Sequence, residues 1–410
     1  MDYESACALL ARLGEFLDPF VQELGHRAQR DGASRYVRGL LNDSERKSIQ
    51  ALHGRLSDAG AYQGLQHFIT HSPWEVTPFW RQLRARLPTR HGLLLLDETS
   101  FPKQGAASVA VARQYCGALG KIANCQVAVT TALVSDGLSW PVAMDLFLPQ
   151  AWADDAARRA TAGIPPTVRH EEKWRLALRH IRQVRAAGLA IDAVLGDAEY
   201  GKVPTFRTAL DRMGLPYALG VPGHFPVWVR GASRMRPIAA IAATHRPSAW
   251  RRVRWATGTK GPLAAWFVAL RVRPAKSRHW CWLLCERTRR GDRDRKFYFI
   301  TAPETASVKS LAKLAHARWQ IEQHYQELKG ELGLDHFEGR SWRGWHHHAV
   351  LAALAYTFLQ GERRRRTKQL PTFPTIRNLV REIVAALFFA TRPEWLDLLV
   401  RFQQNPPLRI

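Results

Sequence analysis

The chain is short of acidic residues. Against 60 lysines and arginines stand 35 aspartates and glutamates, a formal charge of +25 over 410 residues. Such a field attracts polyanions, and counterion release on phosphate neutralisation makes nucleic acid the default partner. A codon bias toward arginine is the other source of such a surplus. Cysteine is scarce as well. The five, at 7, 116, 125, 281 and 285, form no paired set, because the Cys281/Cys285 spacing is too wide for a zinc knuckle and no second Cys or His pair completes it. Reduced thiols of a cytosol are the expectation, with neither a disulfide nor structural zinc. No apolar run reaches the roughly eighteen residues of a membrane span. The opening MDYESACALLARLGEFL carries acids where a secretory leader is basic, so a soluble protein retained in its own compartment is expected. Internal repeats and low-complexity segments are lacking. The hydrophobic fraction of 46% excludes a largely disordered chain. The length allows two or three cores, or one core carrying insertions.

What is present begins with helical periodicity over residues 1–88, in ALLARLGEFLDPFVQEL and YVRGLLNDSERKSIQALHGRL. Asn42-Asp43-Ser44-Glu45 reads as a break and restart. Trp74, Phe79 and Trp80 supply apolar surface to bury this region against something else, either as a DNA-binding domain or as a helical brace. The texture changes at His91-Gly92. Leu93–Leu96 is a short continuous apolar run of the kind a buried strand uses, and it ends at Asp97-Glu98. CQVAVTTALV and WPVAMDLFL are two more strands joined by the turn Ser135-Asp136-Gly137. A helix over 170–187, a strand Ile191–Leu195 ending at Gly196-Asp197, a helix VPTFRTALDRMG and a strand Pro216–Val221 follow.

This order is that of a ribonuclease H-like core still lacking its last helix. The fold class expected is therefore α/β: a mixed five-stranded sheet with flanking helices, interrupted by a β-rich insertion, with helical N-terminal and C-terminal regions. The insertion, 222–301, holds WRRVRWATG, LAAWFVALRVR, HWCWLLCER and KFYFIT. Helical periodicity resumes over 307–332 and 345–360, before the basic run Arg363–Arg366. The boundaries read 1–88, 89–221, 222–301, 302–360 and 361–410, the first and last being candidates for DNA binding or dimerisation.

Three carboxylates carry the candidate chemistry. Two-metal phosphoryl transfer needs hard oxygen ligands converging from rigid elements, with the ions roughly 4 Å apart. Asp97 follows the first core strand and Asp197 the fourth, neighbours in such a sheet. Alone, each is as readily a turn residue or a helix cap. The late helix adds a third partner. At about 100° per residue, with Arg318 as zero, Glu322 falls near 40°, Tyr325 near −20° and Lys329 near 20°. An acid flanked by cations on one stripe suits a metal ligand between phosphate clamps, or a solvated face with helical salt links. Glu327 and Glu331 lie off the stripe. His346-His347-His348 point about 100° apart and cannot share one ion. Surface exposure or phosphate contact is the reading for them, and DNA contact or a solvated linker for the Arg363–Arg366 run.

These residues resemble the DDE transposases of bacterial insertion sequences, in the group with a Tyr/Arg/Glu/Lys signature, nearest the insertion sequence seven-zero-one family. The resemblance runs through YVRGLLNDSERKSIQ, LLLLDETSFPKQG, ARQYCGALGKIANCQVAV, VLGDAEYG and RWQIEQHYQELKGELGLDHFEGRSWRGWHHH. It implies Asp97, Asp197 and Glu322 as ligands of two Mg²⁺ or Mn²⁺ ions, with Arg318 and Lys329 on transposon-end phosphates. The signature tyrosine falls on Ala315, leaving Tyr325 as a substitute on the same stripe. Relatives that pass through a DNA hairpin flip a base onto an insertion aromatic. Phe297 occupies the similar place, and a buried strand aromatic is its other reading. Lys103 and Arg113 approach the DNA backbone or serve structural turns. The implied activity is metal-dependent cleavage and strand transfer at terminal inverted repeats into target DNA, by a homodimer in a bacterial cytoplasm, nucleoid-associated and away from membrane. A metal nuclease on the same core, or a DNA-binding protein derived from a transposase, are the alternatives. A glycosidase with paired carboxylates has no use for the positive charge.

Overall fold

The computed structural model describes residues 3–42, 46–54, 61–258, 261–288, 295–365 and 370–391. The break at 43–45, the run 366–369 and the stretch 392–410 lie outside them. Among the described residues, twelve strands form one sheet: β1 (His91–Pro102), β2 (Ala112–Cys116), β3 (Lys121–Ser135), β4 (Leu138–Leu146), β5 (Ala190–Gly196), β6 (Tyr217–Gly220), β7 (Pro226–Val229), β8 (Arg236–Pro237), β9 (Arg251–Gly258), β10 (Gly261–Pro274), β11 (Cys281–Arg287) and β12 (Arg295–Ile300). The order is β2-β3-β1-β5-β6-β12-β11-β10-β7-β8, with β4 also on β3 and β9 also on β10. The protein is thus a mixed α/β fold with a large mixed sheet and helical flanks.

Local chemistry explains the central strands. Leu94 and Leu96 belong to the apolar cluster on one face of the sheet and Leu95 to that on the other, so β1 is buried on both sides and reads as an unbroken apolar run. β1 pairs antiparallel with β3 and parallel with β5, and β5 pairs parallel with β6. Asp136 and Gly137 take φ of 53° and 74°, the paired left-handed conformations that close a two-residue hairpin between β3 and β4. The four aromatic-rich segments of the insertion become β9 to β12. They are not a separate layer: β12 pairs antiparallel with β6 and carries the core sheet straight into the insertion.

Three expectations are corrected. β1 does not stop at Asp97; its pairing with β3 continues to Pro102, and only its pairing with β5 ends at Leu95. The late helix is broken into Val308–His316, a 3-10 turn Ala317–Trp319 and Gln320–Gly330. Neither Gly nor Pro marks that break in the sequence. The helix Trp342–Arg365 runs past residue 360, where a linker was expected, and Arg363 is buried, donating to the carbonyl of Pro371 at 2.9 Å and to Gln360 at 2.7 Å.

That long helix forms the centre of the second layer, and the N-terminal helices pack onto it. The Trp74 ring stacks on His347 at 3.6 Å, Arg12 pairs with Glu362 at 2.7 Å, and Phe16 meets Phe358 at 5.7 Å. The N-terminal helices are thus packed against that long helix. The three histidines are buried, contrary to the exposure read from sequence. His346 contacts the carbonyl of Trp342, His347 those of Ile69 and Trp74, and His348 the Tyr36 hydroxyl and the Gly333 carbonyl. Burial lowers His347 and His348 to about 4, favouring neutral rings. A neutral His347 can donate to only one of its two carbonyl neighbours, while His348 can donate to Gly333 and accept from the Tyr36 hydroxyl.

Candidate active site

Register places the first two carboxylates. Leu95 of β1 lies beside Leu195 of β5 in parallel pairing. Asp97 lies two residues further along β1 and Asp197 just past the end of β5, close enough for the charge of Asp197 to act on the Asp97 carboxyl. Asp197 caps the short helix Ala198–Gly201, its carboxylate accepting from the Glu199 amide at 2.9 Å. The turn fits tightly because a Cβ on Gly201 would stand 1.8 Å from the Gly220 carbonyl oxygen of β6.

The broken helix closes the site from that same face. Arg318, in the 3-10 turn, donates to Asp97 Oδ2 at 3.0 Å and to Glu322 Oε1 at 2.9 Å. Glu322 therefore reaches Asp97 through a guanidinium. Among the described residues no three His, Cys, Asp or Glu side chains gather closely enough to share an ion. Asp97 is 15% exposed and Glu322 55%. Burial raises the Asp97 carboxyl to about 7, Arg318 opposing and the neighbouring charge of Asp197 adding to the rise. Asp197 is raised too, chiefly by burial. Asp97 and Asp197 offer carboxylate oxygens of the kind a hard divalent cation takes, while Glu322, paired with Arg318, does not join them in this arrangement.

The other expected residues fall differently. Tyr325 hydrogen-bonds through its hydroxyl to Thr130, the β3 partner of Asp97. Lys329 donates to the Ser100 carbonyl at 2.8 Å, with its ammonium 5.0 Å over the Phe101 ring. Lys103 donates to the Phe337 carbonyl at 2.6 Å. Arg113 is exposed on β2. Phe297 is 7% exposed and packs into the core, leaving no ring face for a base; its in-or-out alternation within β12 was the signal for that. Glu327 accepts from the Tyr356 hydroxyl at 2.6 Å, well occupied elsewhere.

Two features escaped the sequence reading. Glu98, on the opposite face from Asp97, is paired with Lys173 at the start of the helix Lys173–Ala186, and burial raises its carboxyl while Lys173 opposes. Beside the helix break, three insertion strands grip His316. Trp255 stacks on its ring at 3.8 Å, and Glu286 stands 3.1 Å from its Nε2 as an ion-pair contact without hydrogen-bond alignment. The Tyr298 hydroxyl donates to that same carboxylate at 3.1 Å. The insertion thus fixes the residue from which the Arg318 turn departs. The brace draws on separate strands, with Trp255 lying 61 residues before His316, so no local spacing announces it.

The site thus sets two aspartates near the end of the β1–β5 pairing, with a glutamate on a late helix linked to the first through Arg318. The sequence profile of the DDE superfamily endonucleases matches residues 19–280, well over half of the chain, and the chain belongs to that family. Asp97 and Asp197 lie within the matched residues and Glu322 beyond them. A probable transposase for insertion sequence element IS701 of Microchaete diplosiphon is 31% identical over 189 residues, covering 45% of this chain and 46% of that protein. The aligned part thus spans under half of that relative's length. A cryo-EM structure of the piggyBac transposase synaptic complex with hairpin DNA is similar at a TM-score of 0.48 and 9% identity, covering 90% of this chain and 73% of that one. At that level the likeness assigns no residue. No helix among the described residues is long and apolar enough to cross a membrane.

Proposed function

We propose that the chain is a DNA transposase that cleaves DNA at the ends of an insertion sequence and joins them to a target. One observation carries the reading: Asp97 and Asp197 follow the parallel pairing of β1 with β5, and Glu322 is tied to Asp97 through Arg318. Family membership and the IS701 relative support it. The sheet order β4-β3-β1-β5-β6 supports a ribonuclease H-like core over 89–221 and 302–360, with 222–301 as its insertion and 1–88 and 361–410 as flanking regions.

Asp97, Asp197 and Glu322 would hold two Mg²⁺ or Mn²⁺ ions. Such ions supply activation of the attacking hydroxyl and stabilisation of the leaving oxygen. The chain's own residues do the rest. Arg318 bridges two of the carboxylates in the free protein, so it offers its guanidinium to a DNA phosphate once cations take over their charge. Tyr325 and Lys329 hold the helix to β3 and β1, keeping Glu322 aimed. The surplus of positive charge attracts the duplex, a homodimer pairs two ends, and the work is done in a bacterial cytoplasm at the nucleoid.

Asp197→Asn and Glu322→Gln test this on duplexes carrying the ends of the element that encodes the chain. Both variants should bind these ends within about threefold of the parent and yield no Mg²⁺-dependent cleavage. Full cleavage by either variant removes that carboxylate from the site.

A further inference from the structure

The β2–β3 hairpin carries a surface that the site does not use. Tyr115 is 66% exposed, Ile122 62% and Leu119 49%, three large apolar side chains together on one protrusion. Tyr115 and Ile122 are cross-strand partners, as are Arg113 and Asn124. Both pairs share a face. Ile122, Asn124 and Thr130 have the same parity along β3, whose register with β1 is unbroken from Cys125 to Val134, and Thr130 is the partner of Asp97. Alternation therefore sets the Tyr115–Ile122 face on the side of the sheet that bears Asp97.

The hairpin is also fixed in place. The Ser100 hydroxyl of β1 accepts from the Ala118 amide at 3.0 Å and from the Cys116 thiol at 3.4 Å, while the Ser100 carbonyl accepts from Lys329. One residue thereby ties the hairpin tip to the helix that carries Glu322. Charge selects the occupant. From Thr99 to Ser135 the chain has no acidic residue, and the hairpin adds the exposed cations Arg113 and Lys121.

Resting on the transposase reading, we infer that this hairpin face docks the same DNA duplex whose phosphate lies at Asp97. Tyr115 and Ile122 would press on sugar and base edges in a groove, with Arg113 on a flanking phosphate. Eight residues of β3 separate Ile122 from Thr130, roughly 26 Å at about 3.3 Å per residue. That reach corresponds to about eight base pairs of duplex at ~3.4 Å each. The hairpin thus measures DNA at a set distance from the break and does not touch the reacting phosphate.

The test compares element-end duplexes that extend about five or about fifteen base pairs to either side of the break. The full-length Tyr115→Ser/Ile122→Ser variant is used, with thermal melting as the folding control. The parent should bind the long duplex at least tenfold more tightly than the short one. The variant should lose most of that gain while keeping short-duplex affinity within about twofold. Arg113→Ala should lower the salt slope on the long duplex by about one and leave the short one alone. Equal losses on both lengths, or none on the long one, overturn the inference. So does a variant that loses self-association by mass photometry while its DNA affinity per protomer stands, which would make the face a contact between copies. If the parent binds and cleaves DNA with no dependence on length, only the hairpin inference fails; if it binds no duplex, the transposase reading fails with it.

Discussion

Replacing Asp97 with asparagine should stabilise the metal-free protein while removing its activity. The carboxyl is raised from 3.8 to about 7, burial being the main cause and Arg318 its main opponent. At about 1.4 kcal/mol per pKa unit, holding the ionised form costs up to about 4 kcal/mol. Asparagine keeps the shape without that charge, but it leaves Arg318 with Glu322 alone, which returns some of the gain. A net stabilisation of about 1–3 kcal/mol at pH 8 remains, a few degrees in a chain of this size. Because the folded-state value lies above the unfolded one, the stability linked to Asp97 is fully present below about pH 4. It is lost as pH rises through 7 and is constant above that. The advantage of Asp97→Asn should accordingly be near zero at pH 4, grow to pH 7 and then level off. Thermal melts in chelator across pH 4–8 read this directly. A variant no more stable than the parent at pH 8, or an advantage that does not shrink toward pH 4, would refute the electrostatic account of the site.

Three further outcomes follow from the geometry. Glu286→Ala strands Tyr298 and His316 around a vacated carboxylate, and urea unfolding should show a loss of about 3 kcal/mol, with Glu286→Gln recovering part of it. Arg318→Met removes the group that opposes the rise at Asp97, so the pH profile of Mn²⁺-dependent cleavage should move to higher pH; an unmoved profile would separate Arg318 from Asp97 in function. Lys329→Met should lower stability by about 1–2 kcal/mol with little change in the salt slope of end binding, since its ammonium is committed to the Ser100 carbonyl. A slope lowered by one would restore its role on phosphate.

Much of this architecture was legible in composition and pattern, and the exceptions have physical reasons. The run Leu93–Leu96 announced a strand buried on both faces, and the four aromatic segments of the insertion each became a strand. Of the stripe read from the wheel, Arg318, Tyr325 and Lys329 reach β1 and β3 while Glu322 stays largely exposed on Arg318, even though the helix is interrupted at 317–319. That interruption was hidden because Ala, Arg and Trp form 3-10 and α turns alike. The three histidines misled for a different reason. Polar type argued for the surface, but the carbonyls of Ile69 and Trp74 that contact His347 come from a segment far away in the chain. Sequence order likewise does not reveal that β12 pairs with β6, since an insertion is as free to fold apart as to extend the sheet.

The central claim is that Asp97, Asp197 and Glu322 together drive strand transfer. The most direct measurement incubates the full chain with Mg²⁺, a supercoiled plasmid and a duplex with a free 3′-hydroxyl at the end of its own element. The account predicts a joined product from the parent chain and none from Asp97→Asn, Asp197→Asn or Glu322→Gln. Joining that survives in any of the three variants, or a parent that nicks the plasmid but never joins the duplex to it, would contradict it.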